Sequence, residues 1–301
     1  VEFLVFFMDG QLRLPSYAKI NLALFIKGKR GDGYHEIATL LQQIDLKDEI
    51  EFCATDNPEI AFFCDHPDLS SGSSNLCVRA AYLLKEVTGF REGVEIKLTK
   101  VIPMGAGLGG GSSNAAVVLL GLNKLWKLNL LPRKLMELAS RLGSDVPFFI
   151  HGGMAWAEGR GDILTWIDLG LDLPMLVVSP EVRVSTAWAY QHLNLDLTMK
   201  KKNIKLARFK NRNFNNVEFY KNFRNDFEAV IFKVHPILAE IKQRLLQQNT
   251  LFASMSGSGS SLFAVFRTVS EAIAAKALFE NQYRTFLVRP LHWGYDQIRL
   301  L

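Results

Sequence analysis

The chain has 301 residues, a length that suits two domains of ordinary size. At 49% hydrophobic and 22% charged, it can bury enough apolar surface to offset its ordering entropy, which excludes disorder as the main state. No apolar run approaches the roughly 18 residues of a membrane span, and a net charge of +5 favours anionic ligands without requiring nucleic acid.

The start, Val1–Met8, is apolar but short for a signal peptide and lacks a basic leading stretch. It reads either as an added strand or as sequence upstream of a start at Met8. Ala18–Lys27 alternates as a strand, and Gly31-Asp32-Gly33 is a turn signal after it. The three cysteines, Cys53, Cys64 and Cys77, are odd in number and form no CxxC pair; they read as reduced thiols of a cytoplasmic protein. Val94, Ile96 and Leu98 alternate with polar residues, as in a half-buried antiparallel strand. Ala115–Trp126 is apolar on nearly every face, which predicts a buried helix. Pro132–Leu142 predicts an amphipathic helix with Leu135, Leu138, Ala139 and Leu142 on one side, opened by Pro132 and stopped at Gly143.

A domain boundary is expected near Gly170, dividing the chain into 1–170 and 171–301, before the strand-like Met175–Val178. Lys200–Arg224 holds nine basic residues against one acid, Glu218, and reads as a solvated insertion, with an RNA or membrane-surface patch as the lesser reading. Phe227–Gln248 and Ser270–Asn281 read as helices, with a strand at Leu262–Phe266 between them. Interspersed helices and strands imply an α+β protein.

The chemistry concentrates in Pro103-Met104-Gly105-Ala106-Gly107-Leu108-Gly109-Gly110-Gly111-Ser112-Ser113. Glycines let backbone N–H groups close around phosphate oxygens, and a helix starting there aims its positive end at the same anion. The loop is not a Walker A motif, because no lysine follows Gly111. It is not a dinucleotide fingerprint either, because the strand before it is half-polar and no acid lies about 20 residues on. Protein-kinase HRD and DFG segments are absent.

This loop closely resembles the ATP-phosphate loop of the GHMP kinase family of small-molecule kinases. Asn75, in Ser73-Ser74-Asn75-Leu76, resembles an upstream nucleotide-holding position, and Ser254–Ser261 resembles the family's second glycine loop. Ala18-Lys19-Ile20-Asn21-Leu22, Gly33-Tyr34-His35-Glu36-Ile37, Gly143-Ser144-Asp145-Val146 and Asn225-Asp226-Phe227-Glu228 look like one branch, whose acceptor is a cytidine-diphosphate sugar-alcohol of non-mevalonate isoprenoid synthesis. The resemblance implies the GHMP kinase fold, with a ribosomal-protein-S5-domain-2-like N-terminal domain and a ferredoxin-like C-terminal domain. It implies ATP with Mg2+, for which no protein ligand is named. It implies Lys19 and Asp145 as the catalytic pair, where the residues alone read as a strand-surface ammonium and a helix N-cap. Asn21, two residues along the same strand face, is expected near the transferred group. Tyr34, His35, Thr186 and Tyr190 are expected to hold the base, with Tyr34 and Tyr190 as its two rings. No membrane or nucleic-acid partner is expected, and the protein is expected to be a monomer or weak homodimer of the bacterial cytoplasm.

Two other readings stand beside this one. A homoserine or mevalonate type of GHMP kinase would have no base for Tyr34-His35 to meet. A non-catalytic nucleic-acid-binding protein on an S5-like scaffold would have no use for Lys19 and Asp145.

Overall fold

The computed structural model describes residues 6–8, 10–167, 171–193 and 214–292. Strand β1 (Phe6–Met8) pairs antiparallel with β2 (Gln11–Lys29), so part of the apolar start is an added strand. A long hairpin of β2 and β3 (His35–Thr55) forms the spine of the first sheet. One half of β3 pairs with β5 (Gly93–Thr99), which in turn carries β4 (Ile60–Cys64) in parallel. The other half pairs with β6 (Met154–Gly159), and β7 (Ile163–Trp166) follows at that edge. The expected half-buried strand is therefore β5, antiparallel to β3.

Register breaks occur between Tyr17 and Lys19 and between Asn21 and Ala23. Bulges of this kind re-aim side chains, and here they bracket Lys19 and Asn21.

Against this sheet pack α1 (Leu76–Thr88), α2 (Gly110–Leu125), α3 (Pro132–Leu142) and α4 (Val146–His151). Helix α3 has the expected bounds and buried face. Helix α2 begins earlier than the expected Ala115, at Gly110, because Gly109 takes φ 71 and turns the chain directly into the helix. Packing against Ile102 and Leu76 overrides the poor helix propensity of Gly110 and Gly111.

The second sheet has the order β11-β8-β10-β9 and is antiparallel throughout: β8 (Met175–Ser179), β9 (Thr250–Met255), β10 (Leu262–Phe266) and β11 (Arg284–Val288). Helices α7 (Glu228–Val234) and α8 (Pro236–Leu246) fall between β8 and β9, and α9 (Val269–Ala277) between β10 and β11. That chain order and strand order are ferredoxin-like, as expected.

Phe227–Gln248 is two helices rather than one. Pro236 has no N–H to donate and restricts His235, which leaves helical geometry at φ −125, ψ 75. The reading of Lys200–Arg224 as a solvated insertion fails for its second half; 200–213 lie outside the described residues. Phe214, Tyr220 and Phe223 are buried around the short α6 (Val217–Tyr220), and Tyr220 stacks on Phe252 with centroids 5.4 Å apart. Aromatic burial prevails over the basic composition because the charges are accommodated separately: Lys221 is exposed, and Arg224 turns inward, pairing with the buried Asp226 at 2.7 Å and lying over Phe25.

The two sheets share an apolar seam that includes Ile20, Leu40 and Trp156 from one side and Met175, Val177 and Phe263 from the other. The site opens beside this seam.

Candidate active site

A cavity of about 710 Å³ lies between the β2–β3 hairpin, the glycine loop and α5 (Thr186–Gln191). Its size falls in the range of small-molecule sites. Loop residues Pro103 to Ser112 all line it. The loop is held to the strand by the Lys19 backbone N–H, which the bulge frees from the sheet and which donates to the Leu108 carbonyl at 2.9 Å. The second glycine loop holds it from the other side. Ser256 Oγ donates to the Gly107 carbonyl at 2.9 Å, and the Ser261 N–H donates to the Ala106 carbonyl at 3.1 Å.

Gly107 takes φ +77, and a Cβ there would stand 2.0 Å from the Ser256 carbonyl oxygen. The Gly107→Ala variant should therefore raise the KM for ATP by about tenfold or more, because both the backbone conformation and the loop-to-loop contact are lost. Steady-state kinetics against ATP, alongside a melting curve, check this.

Helix α2 has no side chain capping its N-terminus, so its first-turn N–H groups face the cavity as donors for an anion. Below the loop runs a buried polar network that the sequence did not disclose. Asp48, fully buried, accepts from Lys100 Nζ at 2.6 Å, from the Val101 and Ile102 N–H groups at 2.8 Å each, and from Asn114 Nδ2 at 2.9 Å. Ser16 Oγ accepts from the same Asn114 amide and donates to Ser113 Oγ at 2.9 Å. Ser113 is thus an anchor within this network, fully buried and outside the cavity lining. The α-helical turn sends it toward β2 while Ser112 faces the cavity. Asn75 lines the cavity as the N-cap of α1, with Oδ1 accepting from Cys77 N and Nδ2 donating to the Ser70 carbonyl.

Lys19 and Asp145 come together at 3.6 Å across this cavity, from strand β2 and from the residue before α4. Asp145 occupies the N-cap position without capping, which sets aside the bland reading of its carboxylate. Lys19 is 5% exposed and Asp145 39%. Burial pushes the Lys19 ammonium below its usual range, with the Asp145 carboxylate opposing that shift. Lys19 Nζ also donates to Asn21 Oδ1 at 2.6 Å, and Asn21 Nδ2 donates to Thr39 Oγ1 at 2.8 Å. The arrangement gives an ammonium and a carboxylate a fixed relation beside a phosphate cradle.

The aromatic end is arranged differently from expectation. His35, rather than Tyr34, lies on Tyr190, with centroids 4.8 Å apart and 22° between planes, and Tyr190 meets Phe227 edge-on. Tyr34 is 56% exposed, so it is no core aromatic, and neither it nor His35 is among the residues that line the cavity, whereas Thr186 and Tyr190 are. Burial holds His35 below its usual range, with Lys29 acting in the same direction. Burial also pushes the Tyr190 hydroxyl up to about 12, aided by the Asp145 charge. Thr186 Oγ1 is hydrogen-bonded to Ser258 Oγ at 2.7 Å, tying α5 to the second glycine loop.

Asn225–Glu228, expected near a helix start, braces that loop. Asn225 Nδ2 donates to the carbonyls of Met255 and Gly257, and Glu228 Oε1 accepts from Ser254 Oγ and Met255 N. Among the described residues no group of three His, Cys, Asp or Glu is placed to cage a metal ion. The donor set therefore does not fit a magnesium ion held by the protein alone. All three cysteines are free thiols, and no helix among the described residues is long and apolar enough to cross a membrane.

A glycine cradle on a helix N-terminus, facing a Lys–Asp pair between two α+β layers, defines a small-molecule kinase of the GHMP class. The family model "GHMP kinases N terminal domain" matches residues 75–153, and "GHMP kinases C terminal" matches residues 206–284. A 4-diphosphocytidyl-2-C-methyl-D-erythritol kinase of Pelodictyon phaeoclathratiforme is 41% identical over 93% of this chain and 97% of that protein. One of Geobacter sulfurreducens is 44% identical over 88% and 93%. A crystal structure of a 4-(cytidine 5'-diphospho)-2C-methyl-D-erythritol kinase superposes with TM-score 0.79 at 32% identity, covering 92% of this chain and 98% of that one. A homoserine kinase from Cytophaga hutchinsonii, at 18% identity and TM-score 0.73, shares the fold. The chain belongs to the GHMP kinase family and, within it, to the 4-diphosphocytidyl-2-C-methyl-D-erythritol kinases.

Proposed function

We propose that the protein transfers the γ-phosphoryl group of ATP to the 2-hydroxyl of 4-diphosphocytidyl-2-C-methyl-D-erythritol, a step of non-mevalonate isoprenoid precursor synthesis. The observation that carries this reading is the placing of Lys19 and Asp145 beside the glycine cradle in one cavity. The hydroxyl oxygen attacks the γ-phosphorus, and the bond to the β–γ bridging oxygen breaks, leaving ADP. Asp145 accepts the hydroxyl proton, while Lys19 meets the charge developing on the phosphoryl oxygens. Asn21 holds the ammonium at that point, and the α2 N–H groups hold the nucleotide phosphates. A magnesium ion would be held by the triphosphate itself and would offset its charge there. The two domains are 1–170 and 171–301, a division supported by the seven strands that precede it and the four that follow among the described residues. The free thiols suit a reducing cytoplasm.

The cytosine is read at the rim formed by Tyr34, His35 and Tyr190. A neutral imidazole offers one donor and one acceptor to the base edge, and the lowered His35 keeps that form to more acidic pH than a free histidine would. A base stacked on an aromatic ring is worth about 1–3 kcal/mol. Tyr34→Ala should thus weaken the acceptor by about five- to a hundredfold. Because Tyr34 is exposed, ATP affinity and Tm should stay unchanged. The function itself is tested by ADP release with ATP and each of three acceptors: the cytidyl compound, homoserine and mevalonate. Turnover is expected with the first alone; turnover with either of the others would replace this reading.

A further inference from the structure

Strand β3 provides a scale for the acceptor side of the cavity. Alternate residues of a strand share a face and advance about 6–7 Å per pair. Thr39, Ile37 and His35 follow one another along that face. Thr39 stands at the reacting end, accepting from the Asn21 amide beside Lys19. His35 stands at the aromatic end, on Tyr190. Between them Ile37 is apolar and offers nothing to a charge.

The turn from β6 to β7 supplies what Ile37 lacks. Ile37 pairs with Gly159 across the sheet, and a Cβ on Gly161 would touch Ile37 Cδ1 at 3.4 Å, so Arg160 stands at the middle level and lines the cavity. Its guanidinium is oriented. Nε and Nη2 donate to Asp162 Oδ2 at 3.2 and 2.9 Å, and Cζ stands 5.0 Å from the centre of the Tyr34 ring. Nη1 has no hydrogen-bond partner among the described residues, and the side chain is 38% exposed.

The other described cations of the cavity wall are committed, Lys19 to Asn21 and Asp145 and Lys100 to Asp48 and the Ile102 carbonyl. Asp162 and Asp32 are the carboxylates that act on Arg160. Asp162 fixes the direction of the fork and leaves its second nitrogen free.

The geometry points to Arg160 as the residue that binds the diphosphate of the acceptor, taking a phosphate oxygen through Nη1 with the Tyr34 ring as its platform. This rests on the acceptor proposed above, whose diphosphate joins the base to the sugar-alcohol and so spans the middle of the same face. Arginine suits the task because its planar fork can hold Asp162 and a phosphate at once, which the point charge of a lysine does not reproduce.

Calorimetric titration of cytidine and of cytidine 5'-diphosphate into wild-type protein, Arg160→Gln and Arg160→Lys tests this assignment. Hydrogen bonds to charged groups predict that wild-type protein favours the diphosphate over cytidine by about ten- to a hundredfold. In Arg160→Gln that preference should fall to about threefold or less, with cytidine affinity, the KM for ATP and Tm unchanged, and Arg160→Lys should recover part of it. An undiminished preference in Arg160→Gln overturns the proposal. Equal loss of cytidine and diphosphate also overturns it, since Arg160 would then act only by holding Tyr34. Failure of the acceptor reading looks different: wild-type protein would bind neither ligand and would not turn over the cytidyl acceptor. Turnover of that acceptor with the preference intact in Arg160→Gln removes the Arg160 assignment alone.

Discussion

Asp145→Asn is expected to lower kcat by about a hundredfold or more, with the fold and ATP binding retained, because the amide cannot take the hydroxyl proton. The structure favours a clean result. Asp145 makes no cap hydrogen bond at the start of α4 and is partly exposed, so the substitution removes no helix support, although the buried Lys19 loses its carboxylate counter-charge. The Lys19 ammonium keeps Asn21 as a partner at 2.6 Å, so the phosphate-facing side of the site stays in place. Loss in kcat with little change in either KM marks an interaction made in the transition state. Steady-state kinetics in both substrates with a melting curve check it, and near-normal turnover in a folded variant would reduce Asp145 to a positioning role.

Asp48→Ala should have the largest effect on stability, about 3–5 kcal/mol, a value typical of breaking a buried ion pair by removing one partner. The Lys100 ammonium would be left 4% exposed and uncompensated, and the N–H groups of Val101 and Ile102 would lose their acceptor. A fall in Tm on the order of 10 °C is expected. The same change should loosen the glycine loop, because Asn114 on α2 shares the Asp48 carboxylate. ATP binding should therefore weaken although Asp48 faces no ligand. Denaturant unfolding and ATP titration of one variant measure both effects; full stability would show that the network contributes little to the fold.

Legibility in the sequence followed whether the deciding interaction was local. Helix α3 was readable to the residue because Pro132 and Gly143 punctuate it and its buried positions recur at helical spacing. The break at Pro236 is equally local, but the apolar pattern that runs on through it from Phe227 to Gln248 masks it. Helix α1 carries its own signals, the Asn75 cap and a left-handed Gly89 after Thr88, but the family resemblance points to Asn75 as a nucleotide contact and hides its capping role. Most of β3 was not legible, since Gln42, Gln43 and Asp48 interrupt its alternation with polar side chains. These are buried with partners from distant segments: the Gly153 N–H donates to Gln43 Oε1, although Gln43 Nε2 has no partner among the described residues, Gln42 donates to the Leu291 carbonyl, and Lys100 donates to Asp48.

The site divides in the same way. The glycine loop is contiguous, and its backbone chemistry can be inferred from glycine alone. Lys19 and Asp145 meet only in the fold, and the family resemblance paired them where spacing could not. The Asp48–Lys100–Asn114 network joins three separate segments and has no motif. The pairing of His35 with Tyr190, and of Tyr34 with Arg160, depends on how α5 and the β6–β7 turn close over β3.

The most direct test of the central claim is phosphorus NMR of the product formed from ATP and the cytidyl acceptor by wild-type protein. The account predicts one new phosphomonoester on the 2-oxygen, an intact cytidyl diphosphate, and ADP in equal amount. A product phosphorylated elsewhere, or ADP formed with no phosphoester on the acceptor, would contradict it.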